Sequence, residues 1–232
     1  RRRRGARGLS QRAVEALRGD ARPEAEVGCL AAEHEAAAAR DAQRVLALRF
    51  RPAIDRRQRV ARALAGALAR RLAAIRPRAL DDPEAGLAAF SNPVVAEHVA
   101  GMLRSQLRQP GVEDVTAPAR GGDMLVRAHD CTFLTPTVVH CEDPDHPLAN
   151  TEFLFPFVSV VAVARQNLVQ TMGPSLVVTA LGEEEELIAE LLAAPTVERL
   201  NLGPIPTNAI SWDQPHEGNL FEHLYRQRAF QR

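Results

Sequence analysis

The run Asn150-Thr151-Glu152-Phe153-Leu154-Phe155-Pro156-Phe157-Val158-Ser159-Val160-Val161-Ala162-Val163 sets one carboxylate ahead of three phenylalanines grouped around a proline. A β-branched stretch follows directly. A carboxylate at the mouth of a buried strand usually has a partner, because an unpaired buried charge is costly. Just upstream, His140-Cys141-Glu142-Asp143-Pro144-Asp145-His146 gathers imidazoles, a thiol and carboxylates of the kinds that ligate metals. No second Cys/His pair at zinc spacing completes it, and ligand types alone do not fix a tetrahedral site. A polar turn leading into the Glu152 strand is the better reading. Glu183 to Glu186 form a run of acids, but consecutive residues on a helix point in different directions and cannot converge on one ion. Carboxylates in a first helical turn do complement the positive end of the helix dipole. No metal site is assigned. Thiol chemistry has only Cys29, Cys131 and Cys141 to draw on. Three such cysteines do not make a disulfide framework, and a free cysteine is most often a small buried hydrophobe.

The elements that must position these groups change character along the chain. With 232 residues and 46% hydrophobic content, one large or two small domains can form a sizeable core, although aromatics make up only 4%. There is no apolar run of spanning length and no signal segment, which favours a soluble, cytoplasmic protein without a membrane partner. The formal net charge of zero hides an asymmetry: residues 1–78 carry 20 arginines and 8 acids, residues 79–232 carry 9 and 21. Lysine is absent. The basic start, Arg1-Arg2-Arg3-Arg4, could meet nucleic acid. It lacks zinc-finger spacing, a helix-turn-helix pattern and an aromatic stacking platform, so a solvated or disordered end is the better reading. Alanines and charges between Glu24 and Arg49 favour helix by propensity.

Val60, Leu64, Leu68, Leu72 and Ile75 recur at helical spacing and predict a helix over 56–76, stopped by Pro77. A second helix is predicted from Pro93 to Leu107, with Val94, Val95, His98, Met102 and Leu103 on its buried side. His98 there reads as a packed or surface histidine. Beyond Pro110-Gly111 the text becomes strand-like: Met124–Arg127, Phe133–His140, Val158–Val163, Leu176–Ala180 and Val197–Leu202. An acidic helix is predicted over 182–192 and a short terminal one over Asn219–Arg228. Trp212 and Tyr225 in that tail are rings suited to anchoring it on a neighbouring surface. Strands alternating with helices indicate an α/β architecture.

Four features in chain order resemble the C-terminal part of the catalytic domain of aldehyde dehydrogenases. Phe133-Leu134-Thr135-Pro136-Thr137-Val138 is similar to that family's Phe-x-x-Pro-Thr-Val segment, and the Glu152 stretch resembles its Glu-x-Phe-Gly-Pro-Val segment. Ser175–Asn201 resembles a family strand, helix and strand that ends in Val-Asn. Asn208–Leu220 stands in the place of the Pro-Phe-Gly-Gly region and the glycine-rich tail. The resemblance implies an α/β fold: a partial aldehyde-dehydrogenase-like catalytic domain with a C-terminal oligomerisation segment, spanning 56–232. Residues 1–55 carry no recognisable resemblance and read as helical or disordered. It also implies a cofactor, NAD or NADP, whose nicotinamide ribose is held by Glu152 while Leu154 and Pro156 shape the pocket. Its further implications are an aldehyde as substrate and homo-oligomeric assembly.

The departures are specific. Phe155 stands where the family has glycine before the proline, Leu154 replaces a phenylalanine, and the Gly-Gly after Pro-Phe is absent. These mark a divergent branch. No Gly-x-Gly-x-x-Gly fingerprint occurs, so the dinucleotide-binding portion is expected ahead of residue 1. Family chemistry needs a thiolate that attacks the aldehyde, giving a thiohemiacetal that would deliver hydride to the nicotinamide cofactor and leave a thioester for hydrolysis. The resemblance puts that cysteine near residues 45–55, where none occurs; Ala42-Gln43-Arg44-Val45 resembles Gly-Gln-x-Cys with valine in place of the thiol. Cys29 is the one upstream thiol, too far upstream and inside an Ala/Glu helix pattern, so the catalytic residue stays unassigned. A start truncated or read in a shifted frame would account for the mismatch over 1–55. Three readings result: NAD(P)-dependent oxidation of an aldehyde to an acid, with this chain an incomplete or inactive member; a non-catalytic interaction or oligomerisation module; and, last, nucleic-acid binding by the Arg-rich start.

Overall fold

The computed structural model describes residues 54–182 and 184–206. Cys29, the Arg-rich start, the expected helix around 24–49 and the 208–232 segment with Trp212 and Tyr225 lie outside the described residues. The described residues fall into two compact units, divided in sequence after Val163.

In the first unit, helix α1 spans Ile54–Leu72 and α2 spans Pro93–Gln106. The predicted stop of α1 comes earlier than expected. After Leu72 the backbone tightens, with Ala74 N–H bonding to the Arg71 carbonyl and Ile75 N–H to that of Leu72. Pro77 explains this: it disfavours the helical region for Arg76, and its ring would strike the carbonyl four residues back. Helix α2 starts where the sequence indicates. The Asn92 side chain accepts from Val94 N–H at 3.0 Å, and Pro93 fills the first helical position.

Of the predicted buried side of α2, Leu103 is buried and the other four residues are not. Ala96, Ala100 and Leu103 face the core, while Val94, Val95, His98 and Met102 are exposed. The buried stripe runs at spacings of four and three through small residues, which lets the helix approach closely. The sequence reading followed the bulkier side chains instead. Outside contacts add to this docking: Arg104 pairs with Asp123 at 2.5 Å and Arg127 with Glu97.

Strands β1 (Val112–Asp114), β4 (Thr137–Cys141) and β5 (Phe157–Val161) form one sheet, ordered β1-β4-β5. β1 runs antiparallel to β4 and β4 parallel to β5, with Thr137 opposite Phe157 and Cys141 opposite both Val112 and Val161. Between them lie a turn of helix α3 (Ala117–Arg120), the hairpin β2–β3 (Leu125–Ala128, Cys131–Leu134) and a second helical turn α4 (Pro147–Asn150). The predicted run Phe133–His140 is thus two strands. Pro136 has no N–H for a ladder and breaks it. The hairpin turns through His129 and Asp130, both at positive φ (52° and 57°); this is the handedness that a two-residue loop between right-twisted strands needs.

Side chains alternate across this sheet. Val139, Cys141 and Phe157 point into the main core with Leu103, Leu134, Leu148, Phe153 and Phe155. The opposite face, carrying Val138, His140, Val158 and Val160, is covered by α1.

The second unit is a strand–helix–strand crossover. A short 3-10 turn (Arg165–Asn167) and helix α5 (Leu168–Met172) precede β6 (Ser175–Ala180), α6 (Glu185–Ala193) and β7 (Val197–Leu202). β6 and β7 pair in parallel, which requires such a crossover. Met172, Val178, Ala180 and Leu191 are its core. Glu185 and Glu186 occupy the first turn of α6. Glu184 lies just outside that turn and, with Glu190, binds Arg165 at 3.2 and 2.8 Å.

Candidate functional site

The segment between α4 and β5 belongs to no helix or strand and bends over 154–156, and its exposed and buried residues alternate over 152–155. Phe153 and Phe155 turn inward; Glu152 and Leu154 turn outward. The inward rings pack with Phe157, Phe153 meeting it edge-on at 4.6 Å and 69°, and Phe155 at 5.9 Å. Such tilted pairs add to the burial of large apolar surfaces. The segment entering Glu152 is held by polar contacts: Asn150 Nδ2 donates to the Pro144 carbonyl at 2.6 Å and Thr151 Oγ1 to that of Pro147 at 2.7 Å. Pro156 is buried, and its carbonyl accepts from Thr137 N–H at 3.0 Å.

Glu152 is therefore an exposed carboxylate without a partner among the described residues, not the paired acid at a buried strand mouth that the sequence suggests. The desolvation argument does not reach it, because alternation sends its charge to water and gives the buried positions to phenyl rings. Beside it, Leu154 is 96% exposed. An acid and an apolar side chain are thus both exposed on an edge beside three packed phenyl rings.

Behind this edge lies an ion pair that the sequence reading did not single out. Arg120, 6% exposed, donates from Nη2 to Asp114 Oδ2 at 2.5 Å. Its Nε reaches the Gly122 carbonyl at 3.3 Å, and its Nη1 reaches the Pro136 carbonyl at 3.5 Å and Thr137 Oγ1 at 3.3 Å. Asp114 Oδ1 also accepts from the Thr116 and Ala117 amides, and Thr116 Oγ1 accepts from Val138 N–H at 2.7 Å. Gly121, at φ 68°, closes α3 in the left-handed region and lets the chain turn beside the guanidinium. In a chain with 29 arginines, nothing marks Arg120 by type. Only the β1 pairing, from a strand too short to read, brings it to Thr137.

Two cysteines lie among the described residues, both in strands. Cys141 is fully buried in β4, and burial pushes its thiol up to about 11. Cys131 is half-buried in β3. The ligand-like residues around them disperse. His140 is inside the sheet, Asp143 Oδ1 caps the Asp145 amide in a turn, and His146 Nδ1 accepts from Leu148 N–H to start α4. The polar turn expected from the sequence is present. His140, 2% exposed, has no partner for either ring nitrogen, and the Gln58 Oε1 atom on α1 is likewise buried and unpaired.

Glu152 and Leu154 suit one end of a dinucleotide: a carboxylate accepts from ribose hydroxyls, and a leucine gives a flat ring an apolar neighbour. The described residues of the first unit add no glycine-rich phosphate loop to it. In the second unit, a shallow apolar hollow lies between α5, β6 and α6, with Leu168, Met172 and Leu187 among its walls. It offers little to a phosphate.

No family model matches the sequence, and no curated protein matches it. Among solved structures, the fold is similar to the crystal structure of a cysteine-to-alanine mutant of aldehyde dehydrogenase C from Pseudomonas syringae, complexed with NAD+ and octanal. The TM-score is 0.55 at 20% identity. The match covers 86% of this chain and 39% of that one, so this chain spans well under half the length of its relative. At this identity the likeness is one of fold: these strands and helices are arranged as in part of an aldehyde dehydrogenase.

Proposed function

We propose that this chain is part of the catalytic half of an NAD(P)-dependent aldehyde dehydrogenase, and that its own contribution is the support for the nicotinamide end of the cofactor. Glu152 takes the ribose hydroxyls, Leu154 lies against the nicotinamide, and Pro156 fixes the turn beneath them. The single observation that carries this reading is the alternation over 152–155, which leaves the acid and the leucine exposed beside three packed phenyl rings. The fold likeness to an enzyme complexed with NAD+ and octanal supports it. When bound, the dinucleotide supplies a hydride acceptor; the residues named here orient it.

Saturation-transfer NMR with NAD+ and NADP+ on the 1–232 chain tests the reading. Transfer to the nicotinamide and its ribose, lost in Glu152→Ala, is expected. Absence of any transfer to the nicotinamide end in the unaltered chain overturns it. Turnover is a separate matter. Cys141 is buried and protonated, and the region where the family carries its nucleophile has no cysteine. Incubation with NAD+ and a panel of aldehydes is expected to give no NADH. Turnover abolished by Cys29→Ala would place the nucleophile at Cys29.

A second reading, an interaction module, is favoured by large apolar side chains left in water, Leu154 at 96% and Val94 at 68% exposure. Light scattering after size exclusion separates the two. A discrete oligomer supports the module, and a heterogeneous aggregate supports a piece of an enzyme.

A further inference from the structure

We propose that Arg120 is a positioning residue for the Glu152–Leu154 edge, acting through Thr137 and the Pro156 carbonyl. The proposal rests on reading that edge as the nicotinamide support.

Two prolines lie along the path, and neither has an N–H, so a carbonyl is the one backbone group by which each can be held. The Pro136 carbonyl and the adjoining Thr137 hydroxyl both accept from Arg120 Nη1, at 3.5 and 3.3 Å. Thr137 N–H then donates to the Pro156 carbonyl at 3.0 Å, where the outward edge runs into β5. Thr137 is thus held by its side chain on one side and holds Pro156 by its backbone on the other. The guanidinium's planar fork spreads its donors over four acceptors in fixed directions. Asp114 keeps the fork in plane from β1, and Asp114 is itself fixed by the Thr116 and Ala117 amides.

A buried ion pair is a poor source of stability, since a well-packed apolar replacement is often as stable or more so. What the pair adds is direction. Arg120 fixes where β4 begins, and the register of β4 with β5 (Thr137 opposite Phe157) fixes where the 152–156 segment ends.

The test uses the whole chain and no nucleotide. Phe153 is 6% exposed, so a Glu-specific protease cuts the Glu152–Phe153 bond only when the segment opens, and its rate follows the open population. Glu84, in an exposed turn of the same unit, is the internal control. The double variant Asp114→Asn/Arg120→Met keeps an acceptor for the Thr116 and Ala117 amides while removing the fork. Losing a net hydrogen bond raises the open fraction by about five-fold, so cleavage at Glu152 is expected to quicken by about that factor, with Glu84 unchanged. Thr137→Val leaves the ion pair intact but removes the hydroxyl, which accepts from Arg120 and donates to the Thr135 carbonyl at 3.1 Å, and is expected to quicken cleavage of the same bond by about two-fold or more. It also serves if the double variant does not fold. An unchanged rate at Glu152, or a rise shared equally by Glu84, overturns the proposal. Selective opening together with no nicotinamide contact in the unaltered chain leaves the positioning intact and removes the cofactor reading, so the two can fail separately.

Discussion

Protonating His140 means placing a charge between α1 and the sheet, where neither ring nitrogen has a partner. Burial, first, and then the charge of Arg62 on α1 hold its pKa below the ordinary histidine value; Glu142 and Glu113 pull the other way. The unfolded chain therefore binds more protons below about pH 6.5. The neutral ring's contribution to stability is complete above that pH and is lost as pH falls through the folded-state value. Denaturant titrations between pH 7.5 and 5 should show stability declining on acidification, with a flatter profile in His140→Leu. An identical slope in that variant would exclude His140 as the cause. Cys141 gives a simpler test. Its burial and raised pKa predict that a thiol reagent at pH 7.5 labels it only after unfolding, as read by mass spectrometry of the tryptic peptides. Neither property can be read from the sequence. His140-Cys141 looks there like the start of a polar cluster, because residue type does not reveal that β4 lies in the middle of a sheet. Glu152 shows the converse. Its place before the phenylalanines is plain in the sequence, whereas its exposure depends on which residues of an irregular segment face inward.

Among the elements, boundaries set by proline, glycine and capping residues were legible, and faces were less so. Asn92-Pro93 announces α2, and Val197–Leu202 is the strand its β-branched and apolar residues suggest. The three-residue β1 carries too few positions for any period to show, and with it the Asp114–Arg120 pair escaped notice. For α2, a bulk-weighted stripe pointed to Val94 and Met102 as well as Leu103, while the core is reached through Leu103 and two alanines. Close packing favours a small residue wherever two backbones approach, so size misleads about direction. The paired substitutions Leu103→Ala and Met102→Ala distinguish the two faces. The first should cost about 2–5 kcal/mol by leaving a cavity, and the second about 0.5 kcal/mol or less, as measured by chemical denaturation. Equal costs would mean that the helix is rotated from the orientation described.

At the scale of the whole molecule, the two units differ in what they bury. The first gathers twelve buried residues in one cluster, and the second gathers four. Amide exchange should accordingly be slower in β4 than in β6; mass spectrometry of the corresponding peptides checks this, and matching rates would show that the chain opens as one cooperative body. Three of the four stretches that resemble aldehyde dehydrogenases lie among the described residues, whose fold is similar to part of such an enzyme; the fourth, 208–220, lies outside them. The unit boundary was not legible, because no run of linker-like residues marks it.

The outward edge over 152–154 has one more consequence, for how this segment tolerates insertions and deletions. Its exposed and buried residues alternate over 152–155. Removing Phe153 alone would bring Leu154 to the inward position and leave a void where a phenyl ring packs. Variants that move a phenyl ring out of the core here should lose stability, and those that spare the three rings should be tolerated.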